Sequence, residues 1–166
     1  MTKGGEEKLT VLHVVWHHSH DLWGLPRKLC ETNVPWGRRR SSLIGLSALC
    51  YVLPSLVDAS RRRAMLWVLQ AALCFWSDYI DTGKFGVSHL LDKMLASALT
   101  FYVVAVGLAE LGLPLVLLLG APTFFCLAVS SKRRIDKDFR GYAIYHSLWH
   151  LTSSLACAYT LLKTSQ

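Results

Sequence analysis

Charge is what this 166-residue chain has least of. Only 17% of its residues are Asp, Glu, Lys or Arg, against 52% hydrophobic, and the charges are bunched between long uncharged runs. A soluble domain spreads its charge, so this pattern is a membrane protein's. Acids are scarcer than bases, 11 against 18, for a net charge of +7. The bases gather at the ends of apolar runs without interleaved aromatics, which argues against a nucleic-acid partner and for topology signals. Cysteine is sparse and scattered. Cys30, Cys50, Cys74, Cys126 and Cys157 are odd in number and form no CxxC, which disfavours both a disulfide framework and a thiolate metal site. There is no internal repeat and no low-complexity segment. The first forty residues are too polar for a signal peptide, and Glu6 and Glu7 do not suit an acid-poor transit peptide. Insertion is expected to rest on internal spans.

What is abundant is apolar sequence in helix-length blocks. A hydrocarbon core about 30 Å thick takes roughly 20 helical residues to cross. Five spans are expected, at 43–60, 64–80, 88–109, 111–130 and 142–162, within one all-α membrane bundle covering 43–162. The first holds Pro54 and Asp58, and the second is cleanly apolar only from Ala64 to Trp76. Residues 1–42 read as a leader and 163–166 as a short tail. Leu9, Leu12, Trp16 and Trp23 recur at near-helical spacing, so 6–23 is expected to lie on the membrane surface as an amphipathic helix.

With five spans, segments 1–42, 78–87 and 131–141 share one side and carry seven, one and five Lys/Arg, thirteen in all. The opposite side holds Arg61, Arg62, Arg63 and Lys163. The positive-inside rule then makes the N-terminus cytoplasmic, with the arginine triplet as an exception.

The run "YHSLWHL" at 145–151 places His146 and His150 four residues apart inside the last span. On a helix such residues share a face, so two imidazoles can reach one metal ion. The bland account is a pair of core histidines hydrogen-bonded to neighbours. Ionisable groups within spans are costly and call for a partner or a function. Ser77, Asp78, Asp81, Ser88, His89 and Asp92 fall at the ends of spans two and three that alternating direction brings to the same membrane face as the histidines. His13 and His17 repeat the spacing in "HVVWHHSH", where an exposed surface cluster is the simpler account.

The order Ser77, three residues, Asp81, ten residues, Asp92, and later His146, three residues, His150 resembles the signature of the CREST superfamily of membrane hydrolases. That superfamily contains the alkaline ceramidases and the progestin and adiponectin receptors. The resemblance implies zinc held by the residues at positions 81, 146 and 150, Asp92 acting as base toward the attacking water, and the Ser77 hydroxyl on the reacting carbonyl. It implies a lipid amide or ester substrate, membrane lipids as partners and an endomembrane address. The chain departs from the pattern in two respects. Asp81 stands where the family has histidine, leaving two histidines and a carboxylate, a set that zinc accepts. Five spans stand where the family usually has seven, a loss of two that keeps the parity of the faces. His89 is a possible substitute imidazole. Two other readings stay open: a haem b protein with His89 opposite His146 or His150, and a non-catalytic accessory subunit or pseudoenzyme whose polar groups hold helices, and other membrane subunits, together.

Overall fold

The computed structural model describes residues 34–84 and 86–165. The amphipathic segment, the leader histidines and Cys30 lie outside the described residues. Those described are helical, with no strand among them.

Five helical rods follow one another. Helix α1 (Ser42–Ala48) tightens into a 3-10 stretch, Leu49–Leu56, that carries Pro54. Helix α2 (Arg61–Phe75) widens into a π-turn, Trp76–Ile80. Then come α3 (Val87–Glu110), α4 (Leu113–Ile135) and α5 (Phe139–Thr164). Each expected span overlaps one rod, and two of the five, α3 and α4, are long and apolar enough to cross a membrane. At about 1.5 Å per residue either outreaches a hydrocarbon core of about 30 Å. The α1 rod is shorter, at Ser42–Leu56, and α5 has the length but interrupts its apolar run with buried His146, Ser147, His150 and Ser154.

Local chemistry sets the ends. Ser60 caps α2 by accepting from the Arg63 backbone N–H, and Asp138 caps α5 by accepting from that of Gly141 at 2.9 Å. Lys132, Arg133 and Arg134 occupy the last turn of α4, where cations complement the helix dipole. Between α3 and α4 the chain reverses at Gly112, whose φ of 78° is strained for any residue with a side chain. The arginine triplet is partly neutralised: Arg63 Nη2 lies 2.9 Å from Asp58 Oδ1, and the Asp58 side chain is wholly buried.

Helix α5 packs against α4, against α3 and against the whole α1 rod, which in turn packs on α2. The shared core is Ala48, Tyr51, Trp67, Ala71, Cys74, Leu99, Val103 and Leu161. The outside is apolar as well, with Phe101, Leu118 and Phe125 exposed on α3 and α4. At Gly45 a Cβ would come within 2.9 Å of the Tyr79 ring. Glycine there lets α1 close onto the π-turn. Segments 34–41, 76–84 and 132–142 meet at one end of the bundle: Trp36 meets Phe139 edge-on and Tyr142 at a tilt, and Arg40 Nη2 donates to the Ile80 carbonyl.

Candidate metal centre

The π-turn decides which groups face the interior. In an α-helix Ser77 and Asp81 would lie on one face, and the expected site depends on that. Here Asp81 N bonds back to Trp76 O, five residues earlier, and the wider winding shifts the register. Ser77 and Asp78 turn inward. Asp81, at the end of the turn, faces elsewhere: its Oδ2 accepts from Trp76 Nε1 at 3.0 Å and from Ser88 Oγ at 2.7 Å.

The carboxylate between the two imidazoles is therefore Asp78, not Asp81. His146 Nε2 lies 3.0 Å from Asp78 Oδ2, and His150 Nε2 lies 3.3 Å from the same oxygen. The two rings meet edge to face at 4.6 Å. Cys74, one α-turn before Asp78, brings its Sγ to 3.5 Å from His150 Nε2 and 3.7 Å from Asp78 Oδ2. Cys74, Asp78 and His150 form a group that could hold a metal ion, with a thiol that the cysteine spacing had disfavoured as a ligand. His89 stands apart, its Nε2 3.5 Å from the Asp81 carbonyl oxygen.

Each histidine is held from behind. Ser47 Oγ donates to the Ile44 carbonyl at 2.9 Å, so toward His150 Nδ1, 3.0 Å away, it is left as an acceptor. The proton of neutral His150 then sits on Nδ1, and the Nε2 lone pair points at the Asp78 carboxylate. Two electron-rich atoms at 3.3 Å repel unless a proton or a metal ion lies between them. Ser130 Oγ lies behind His146 Nδ1 at 3.4 Å, where either atom could donate.

Ser77 and Asp92 complete the neighbourhood. Ser77 is fully buried, and its Oγ lies 3.2 Å from the Cys74 carbonyl and 3.4 Å from Asp78 Oδ1. Asp92 accepts from Gln70 Nε2 at 2.6 Å and is also in contact with Ser77. Gln70 is itself buried, and its Oε1 has no partner among the described residues. Beside Ser77 and Asp78 lies a cavity of about 20 Å³, lined also by Trp36, Arg39, Thr82 and Tyr142. That is room for about one water.

No family model, curated protein or solved structure matches this chain. Its chemistry has to be read from the site itself. Of the residues singled out in the sequence, the bundle gathers His146, His150, Ser77 and Asp92 and leaves Asp81 outside. The members that the sequence reading missed are Cys74 and Asp78, four apart like the histidines, and their supports Ser47, Ser130 and Gln70.

Proposed function

We propose that this chain is an integral membrane, zinc-dependent hydrolase of the CREST type, acting on a lipid amide or ester. The observation that carries the reading is the pair of imidazole Nε2 atoms converging on Asp78 Oδ2, with a hydroxyl behind each Nδ1. Asp78 and His150 would hold the ion with His146 as the third ligand, a two-histidine, one-carboxylate set. Zinc so held supplies a Lewis acid and brings water toward ionisation near neutral pH.

The chain's own groups supply the rest. Asp92, oriented by the Gln70 amide, accepts a proton and returns it to the leaving group. The Ser77 hydroxyl donates to the carbonyl oxygen as charge develops there. The thirteen Lys/Arg of segments 1–42, 78–87 and 131–141 favour a cytoplasmic location for this end of the bundle.

A second reading has its own observation. Cys74 Sγ lies close enough to His150 Nε2 to act as a fourth ligand, which would close the site and make the metal a structural pin between α2 and α5 in a non-catalytic subunit. One set of variants separates the two. Zinc content and hydrolysis of a lipid amide are measured on protein purified in mild detergent. For the hydrolase, Asp92→Ala keeps zinc and loses turnover, whereas Cys74→Ser keeps both. In the closed site Cys74→Ser loses the metal. Wild-type protein that takes up no zinc when offered it refutes both.

A further inference from the structure

The space at the metal centre is too small for a substrate. The cavity beside Ser77 and Asp78, at about 20 Å³, holds about one water, so a lipid carbonyl cannot reach Ser77 until a wall moves. Four of the residues that line it, Val34, Trp36, Arg39 and Ser41, belong to segment 34–41, which lies outside every helix. The facing wall is helical, with Ser77 and Asp78 on the π-turn and Tyr142 on α5.

The segment is a strap drawn across the two elements that carry the candidate ligands. On one side it is fastened to the π-turn and the loop after it: Arg40 Nη2 donates to the Ile80 carbonyl at 2.9 Å, the same guanidinium lies 5.6 Å from the centre of the Tyr79 ring, and the Gly37 carbonyl occupies the place where a side chain at Gly83 would go. On the other side it is fastened to α5, with Arg39 4.1 Å over the Phe139 ring and Trp36 against Phe139 and Tyr142 at 5.4 and 4.8 Å. Tyr79 follows Asp78 in sequence, and Tyr142 stacks on His146 at 4.9 Å, so each fastening ends one neighbour short of a ligand.

These fastenings are of a kind that releases. Within 34–41 only Val34 is buried, residues 38–40 are exposed, and the backbone closes a turn, Gly37 N to Val34 O at 3.2 Å, instead of a helix. A segment with so little buried apolar surface opens at far lower cost than the helices beneath it. Ser41, extended at φ −124° and ψ 117°, joins it to α1, and rotation there swings the strap while the helix stays packed.

We infer that residues 34–41 are a gate over the metal centre, closed in this structure, whose lifting admits the ion and the substrate and whose return shuts out bulk water. The inference rests on the metal reading for what is guarded, and on the geometry alone for which segment moves.

The test loosens the strap from two sides in the full chain, purified in mild detergent. Trp36→Ala removes the ring contacts to α5. Gly83→Ala drives a methyl into the Gly37 carbonyl and to within 2.8 Å of Arg38 N. Gly112→Ala is the control, because its φ of 78° matches the 79° of Gly83 in backbone strain while a Cβ there meets nothing closer than 3.9 Å. Access is read on metal-free protein as the rate at which sulfonatoethyl methanethiosulfonate, a charged reagent confined to water, modifies Cys74, whose Sγ lies 3.7 Å from Asp78 Oδ2. Mass spectrometry locates the modification, and Cys126, buried on α4, serves as the reference for global unfolding. Both strap variants should modify Cys74 roughly tenfold faster than wild type, the order of one lost aromatic contact or one packing clash, with Cys126 unmoved and Gly112→Ala at the wild-type rate. Wild-type Cys74 rates in both strap variants overturn the inference, as does a Cys126 rate that rises in step with that of Cys74. Zinc exchange with a chelator, measured in parallel, should accelerate by the same factor at unchanged affinity, because a gate acts on entry and exit alike. Faster Cys74 modification in a protein that takes up no zinc would sink the metal reading and leave the gate standing. Zinc uptake with wild-type Cys74 rates in both strap variants would do the reverse.

Discussion

Asp78→Asn is the substitution that most directly separates the two registers of the turn after α2. It keeps the shape of the side chain and removes its charge. Two imidazole nitrogens, at 3.0 and 3.3 Å, lose an ionised acceptor or a co-ligand, and the side chain is only 19% exposed, so water replaces little of what is lost. Hydrogen bonds to a charged group contribute about 1.5 to 3 kcal/mol each. Losing the one between His146 Nε2 and Asp78 therefore costs about 1.5 to 3 kcal/mol of stability in the metal-free bundle, and zinc retention should fall because a neutral amide oxygen is a weaker ligand than a carboxylate. The assay is zinc retention against a chelator of known affinity, with helicity checked by circular dichroism to show that the bundle still forms. Asp81→Asn is the control, since its oxygen binds Trp76 and Ser88 and faces no imidazole. Zinc lost from Asp81→Asn and kept by Asp78→Asn would refute the π-turn register and restore the α-helical alignment of Ser77 with position 81.

Other perturbations reach the supports. Ser47→Ala removes the acceptor that sets the His150 tautomer and should lower zinc affinity about 10- to 100-fold with little change in thermal stability, read by the same chelator competition. Gly45→Ala forces a methyl against the Tyr79 ring and should destabilise by about 1 to 3 kcal/mol, seen as a lower melting temperature in detergent. Asp138→Ala uncaps α5 at a cost of about 1 kcal/mol, and an unchanged melting temperature would remove the cap from the account. A fluorescent tag before Met1 should report the cytoplasmic side and one after Gln166 the opposite side; finding both together would eliminate a five-crossing topology.

Hydropathy and periodicity made much of this bundle legible, because apolar blocks bounded by charge clusters correspond to helices ended by caps. The His146–His150 pair was legible for the same reason: four residues make one turn of any regular helix, and α5 is regular there. The carboxylate was not. Asp78 and Asp81 differ only in register, and register was counted on 3.6 residues per turn across a stretch that winds more widely. Nothing in "FWSDYID" marks the change of winding. Cys74 was missed because cysteines were compared with other cysteines. Its partner here is a carboxylate one α-turn later, and the interval from Cys74 to Asp78 repeats the interval of the histidines. Ser47 and Ser130 are ordinary small polar residues until the packing of α1 and α4 on α5 sets them behind an imidazole.

The π-turn also makes chain length itself a functional variable. Deleting Gly83 would leave hydropathy and every candidate ligand in the sequence almost untouched. If the turn reverted to α winding, each side chain downstream of Trp76 would rotate by a fraction of a turn, carrying the Asp78 oxygen out from between the rings. Two sequences alike in every motif would then differ in whether they hold an ion at all. A one-residue gap at this point would part Asp78 from the two histidines, a change that counting matched residues does not register.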